Sequence, residues 1–147
     1  MTDVQYGAWS EKVFCDAVLS APENCDLLCA ENWVYTELFD ARGYISPLPE
    51  KIWGGIEGNV VLTPDGRTVD FLRFSDRTAL ILNYDPEEPE KEMTLDKVID
   101  FPATASKFNI VFDEGSKKYY AIVSYALDEP LTKRNLLSLI CSEDLTE

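Results

Sequence analysis

The chain contains no histidine, and only 13 of its 147 residues are basic against 27 acidic. Without imidazole, Ser-His-Asp and Cys-His nucleophiles and the histidine general base are excluded, leaving carboxylates, Tyr, Lys and Arg for any chemistry. A formal charge of -14 repels phosphate backbones and anionic lipid, and no local run of Lys or Arg overrides it. Nucleic-acid and membrane-surface roles are therefore set aside. The longest apolar stretches, such as Thr78 to Leu82, fall far short of the roughly 18 residues a membrane span needs. The opening "MTDVQYGAWSEK" has no basic start followed by an apolar segment, so no export signal is read. Of four cysteines (Cys15, Cys25, Cys29, Cys141), only Cys25 and Cys29 are close, and no second pair stands at metal-ligand spacing. They read as free thiols, with no metal or cofactor implied.

What is present is strand. At 46% hydrophobic residues the chain can build a core, and no apolar i, i+3, i+4, i+7 pattern lasts long enough for a 12-residue helix. Short runs, including "KVFCDAVLSA", "WVYTEL", "NVVLTP", "TVDFLRF", "TALILNYD", "KVIDFP", "FNIVFD", "YYAIVSYA" and "LLSLICS", are bounded by Gly, Pro, Asp or Asn. The fold class read from them is all-β. Pro64-Asp65-Gly66 and Asp113-Glu114-Gly115 are expected to close hairpins, with Gly supplying the positive φ. "DPEEPEKEMTLD" reads as a solvated acidic connector.

"NVVLTPDGRTVDFLRF" and "NIVFDEGSKKYYAIVS" share one plan, in which Asn, strand, Gly-centred turn and strand follow each other, and Asn59 and Asn109 lie 50 residues apart. "VLSAPENCDLLCAENW" is echoed in "LICSEDLTE". Periods of about 40 to 50 residues built of short strands predict β-propeller blades, each a four-stranded antiparallel sheet. On that plan residues 12–37 hold the outer strands of one blade, 57–103 a full blade and 107–144 most of a third. Two to three blades cannot close a ring, so the chain reads as a β-propeller fragment of a longer protein.

"GGIEGNVVLTPDGRTVDFLRF", "MTLDKVIDFPATASKFNIVFDEGSKKYYAIVS" and "RNLLSLICSEDL", in this order, resemble the bacterial sialidase-like (exo-α-sialidase) β-propellers of the sialidase superfamily. Ser-x-Asp stretches such as Ser142-Glu143-Asp144 resemble degenerate Asp-boxes. The resemblance implies a glycoside hydrolase acting on terminal sugars, a glycan substrate, and the remaining blades of the parent propeller as partners. The arginine triad, catalytic aspartate and tyrosine nucleophile of true sialidases cannot be assembled from this chain.

Within that frame Glu57 stands at the start of an innermost strand, where flanking glycines let the backbone approach the axis and the carboxylate enter a polar cavity. It is the candidate general base or substrate-binding acid. Asn59 follows it, and Arg73, Lys107 and Arg134 are the candidate substrate-binding residues. Arg73 needs either solvent or a fixed anion, whether a substrate carboxylate, Glu57, or a neighbouring Asp such as Asp70 or Asp100. Lys107 and Arg134 either face the same site or lie on a solvated face. Trp53, beside Gly54-Gly55, is the candidate sugar-stacking platform, whereas Trp33 reads as structural, and Tyr119 and Tyr120 are given no catalytic role, one of them being expected to pack in the core. Two other readings stay open: a non-catalytic carbohydrate-binding or scaffolding propeller, and a nine-stranded β-sandwich.

Overall fold

A computed structural model describes residues 14–44, 52–75, 77–104, 106–127 and 134–146, with the side chains of residues 42 and 52–54 outside the described part. Among the described residues nine strands form three antiparallel sheets. β1 (Leu19–Ser20) pairs with β2 (Val34–Tyr35). β3 (Ile52–Leu62), β4 (Thr68–Ser75), β5 (Thr78–Tyr84) and β6 (Thr94–Asp100) form a four-stranded meander. β7 (Asn109–Asp113), β8 (Lys118–Tyr125) and β9 (Leu136–Ser142) form the third sheet. Two 3₁₀ turns, Ala30–Asn32 and Ala41–Gly43, complete the described elements, and no helix among them is long and apolar enough to cross a membrane.

The central sheet is buried on both faces, which is why β4 and β5 read as apolar runs without polar alternation. Side chains alternate across a strand, so Val69 and Phe71 face one way and Leu72 and Phe74 the other. Val69, Phe71, Ala79 and Ile81 pack against Ile110, Tyr119, Ala121 and Val123 of the third sheet. Leu72, Phe74, Leu80 and Leu82 pack against Val18, Phe39 and Ala41 of the N-terminal layer. Each such aromatic or aliphatic side chain contributes about 1.5–3 kcal/mol by leaving water. The result is a three-layer stack with the small sheet at one end and the third sheet at the other.

These sheets overturn the expected propeller and the sialidase-like resemblance built on it. The all-β class holds, but the three sheets are separate and open, and none is closed or curled into a blade. The two-sheet sandwich fails as well, since the strands fall into three layers. Period alone misled because any meander of short strands and Gly or Asp turns repeats the same plan. The Asn echo has a local cause: Asn59 Nδ2 donates to the Phe108 carbonyl at 3.4 Å and its Oδ1 accepts from the Ile110 N–H at 3.2 Å. That side chain fastens edge strand β3 to β7 on either side of Asn109.

Local chemistry accounts for smaller differences. Gly66 takes a φ of 84° in the first hairpin as expected, but in the second the positive φ falls on Lys117, at 57°, and not on Gly115. There Asp113 Oδ2 accepts from the Ser116 N–H at 2.8 Å and the Ser116 hydroxyl at 2.6 Å, so the carboxylate shapes the turn. The acidic connector is mostly exposed, yet Met93 within it is buried against the N-terminal layer. Of "KVFCDAVLSA", residues 12–13 lie outside the described part, and the rest forms only β1 and an Asp16–Phe39 bridge.

Candidate functional site

A β-bulge in β3 builds the site. The register with β4 shifts between Ile56, opposite Arg73, and Asn59, opposite Phe71. Glu57 occupies the bulge at a φ of 58°, a left-handed conformation that is uncommon for a residue with a Cβ. Gly58 follows because it must: a Cβ there would lie 2.2 Å from Asp70 Oδ1 and 2.6 Å from Leu72 Cδ2. The bulge turns the Glu57 carboxylate toward the third sheet while Gly58 lies over the opposite face.

Glu57 then meets two cations. Its Oε2 is 3.0 Å from Arg73 Nη2, and its Oε1 is 3.4 Å from Lys107 Nζ. The Arg73 side chain is only 8% exposed, against 30% for Glu57. Burial draws the guanidinium below its ordinary pKa; the Glu57 charge opposes that shift, and the Arg134 charge reinforces it. Of the partners weighed for Arg73, Asp70 lies on the other face of β4, and Glu57 is the carboxylate at hand. Arg134 is exposed, yet close enough for its charge to act on Arg73.

Lys107 is placed by its neighbours. Phe108 packs edge-to-face on Phe71 and Phe101, with ring centroids 5.6 and 5.0 Å apart. The Thr104 N–H and hydroxyl both donate to the Ser124 carbonyl, at 2.9 and 3.2 Å, fixing the segment that leads into β7. An open recess of about 510 Å³ lies over this end of the third sheet, with Lys107, Asn109, Arg134 and Asn135 at its polar side and Ile122 and Leu137 at its apolar side. No carboxylate lines it among the described residues. A smaller cavity of about 100 Å³, lined by Phe71, Ile99, Phe101 and Ile110, is a gap between the packed sheets.

Glu57, Arg73, Lys107 and Arg134 are thus brought to one place, within or beside the recess. Asn59 adjoins them but spends its amide on the backbone of β7. Trp53 belongs to β3, and its side chain lies outside the described residues. Tyr119 is buried and donates its hydroxyl to the Leu62 carbonyl. Trp33 donates to the Leu27 carbonyl at 3.0 Å.

Sequence reasoning missed a second cluster. Asp70, 2% exposed, lies against Asp16 of the N-terminal layer. Burial pushes its carboxyl up to about 8, the hydrogen bond and charge of Asp16 push the same way, and the Phe71 N–H opposes them. Burial also raises Asp16, with the Asp70 hydrogen bond opposing. Asp70 Oδ1 has no hydrogen-bond partner. The only sequence signal was an acid in an otherwise apolar strand beside a bulge glycine.

No protein-family model, curated protein or solved structure matches this chain. With the open sheets, this removes the basis for assigning it to the sialidase superfamily or to the glycoside hydrolases, and the Asp-box parallel goes with it. The Ser142–Asp144 stretch is a local turn in which Ser142 Oγ accepts from the Leu145 N–H at 2.9 Å and Asp144 Oδ1 from the Thr146 N–H at 2.8 Å.

Proposed function

We propose that the chain is a non-catalytic binding module whose recess takes an anionic group. The observation that carries this reading is the convergence of Arg73 and Lys107 on a single carboxylate, with Arg134 near enough for its charge to act on Arg73, in a chain of net charge -14. Two of the three cations are exposed, so an incoming anion meets them without a buried charge having to be uncovered. Glu57 serves as the fixed counter-ion that orients Arg73 and Lys107, a role that agrees with its left-handed backbone and its two ion pairs. The apolar side of the recess, Ile122 and Leu137, favours a ligand that joins a negative charge to a hydrophobic body. Acidic sugars belong to the ligands to be tried, and on this reading they are bound and not cleaved.

The test is a titration by calorimetry or NMR with glucuronate, inorganic phosphate and neutral glucose. The anions should bind, glucose should not, and Lys107→Gln or Arg134→Gln should each weaken anion binding about fivefold, as one exposed charge contact of about 1 kcal/mol implies. Equal binding of glucose, or indifference to both substitutions, would refute the reading.

A further inference from the structure

The two ends of the stack expose apolar side chains that no described part of the chain covers. On the third sheet Val111, Ile122, Leu137 and Leu139 point away from the core, with Leu137 80% and Leu139 67% exposed. On the N-terminal layer Leu19, Tyr35 and Leu38 are exposed, and Leu28 at its tip is 96% exposed. Scattered apolar residues are normal on a surface, but contiguous sheet faces of this kind mark contacts.

The tip is built to hold Leu28 outward. Asp26 Oδ1 accepts from the Leu28 N–H at 3.0 Å, and the Asp26 carbonyl accepts from the Cys29 N–H at 3.1 Å and Asn32 Nδ2 at 2.9 Å. Trp33 Nε1 braces the same turn through the Leu27 carbonyl. Exposed acids flank it: Glu23, Asp26 and Glu31. Glu31 accepts a hydrogen bond from the Cys29 thiol at 2.9 Å, which fixes its carboxylate beside Leu28. The recess offers the converse, an apolar wall next to Lys107 and Arg134. Within one molecule the two cannot meet, since the N-terminal layer and the third sheet pack on opposite faces of the central sheet.

We propose that the chain associates with itself head to tail, the acidic, leucine-bearing tip at Asp26–Glu31 of one copy seating in the recess beside Lys107 and Arg134 of the next. This rests on the reading that the recess takes anionic groups, and it names the partner. Charge sets the polarity. Residues 14–44 carry six carboxylates and Arg42 as their only cation, whereas the described part of the third-sheet region, 106–127 and 134–146, is balanced. Two tips brought together would repel, while tip and recess attract. A contact between two different surfaces repeats from copy to copy, so association does not stop at a symmetric pair. The preformed turn lowers the ordering cost of docking. A tip of this size buries little area, so the contact is a weak one, to be sought from about 10 µM to about 1 mM.

Sedimentation velocity of the whole chain over that range tests it. The weight-average mass should rise continuously with concentration and fall back as salt is added. Leu28→Lys, which spoils the tip, and Lys107→Glu with Arg134→Glu, which spoils the recess, should each weaken association at least tenfold. An equimolar mixture of the two should give a one-to-one pair that grows no further, because one variant keeps a recess and the other a tip; such pairing also shows that both are folded. A wild-type chain monomeric throughout, or Leu28→Lys associating as tightly as wild type, would overturn the proposal. Glucuronate binding by Leu28→Lys, which keeps the recess, separates the two ideas. If it binds while wild type stays monomeric, the anion site stands and self-association falls; if it neither binds nor pairs, both fall.

Discussion

Replacing Asp70 by Asn should make the protein more stable at neutral pH. Asp70 is buried on the face of β4 opposite the recess, its carboxyl raised from an ordinary 3.8 to about 8, chiefly by burial. A folded state that holds a proton the unfolded chain releases is most stable below the unfolded pKa and loses that advantage as pH rises through the folded one. For Asp70 the decline therefore begins near pH 4 and levels off above pH 8. At 1.36 kcal/mol per unit, the roughly three units between 3.8 and pH 7 make the loss up to about 4 kcal/mol, and relaxation around the pair lowers it toward about 2 kcal/mol. Asn keeps the shape, offers an amide donor to Asp16 and does not ionise. Urea unfolding of both proteins from pH 5.5 to 8.5, above the sequence pI of about 4.3, is the assay. The difference should favour the variant by about 2–4 kcal/mol at pH 7 and shrink toward the acid end. A variant less stable than wild type at pH 7, or a gap that does not change with pH, would refute a protonated Asp70.

Further outcomes follow from the bulge and its surroundings. Glu57→Gln deprives the buried Arg73 of this carboxylate beside Arg134 and should cost about 1–2 kcal/mol, less than a fully buried pair because Glu57 is partly exposed, with a larger loss at low salt. Gly58→Ala sets a methyl group against Asp70 and Leu72 and should destabilise by about 1–3 kcal/mol, visible in the same urea curves. Asn59→Ala removes both hydrogen bonds between β3 and β7 and should cost about 1–3 kcal/mol. It should also speed hydrogen exchange at the Ile110 amide, whose unchanged protection would contradict the inter-sheet role.

The all-β class was legible because strand and helix differ in period, and the runs from Thr68 to Tyr84 are too short and too uniformly apolar for amphipathic helix. The arrangement of sheets was not legible. Asn59 and Asn109 repeat at a propeller-like interval, but the first of them is a clip across two sheets, and spacing cannot distinguish a clip from a repeat. Glu57 drew attention through its glycines, and the structure places it with Arg73 and Lys107. Its own positive φ left no trace in the sequence, because the register shift that requires it depends on pairing with β4. The Asp16–Asp70 pair joins residues far apart in the chain, which no local pattern reports. The Leu28 tip reads as an ordinary loop until its exposure is known.

The central claim is tested most directly by an amide-resolved NMR titration of the chain with glucuronate. Shifts should concentrate at Lys107, Asn109, Ser124 and the stretch from Arg134 to Leu137, and should fade in Arg134→Gln. Shifts spread evenly over the acidic surface, confined to the N-terminal layer, or unchanged by that substitution would contradict the account.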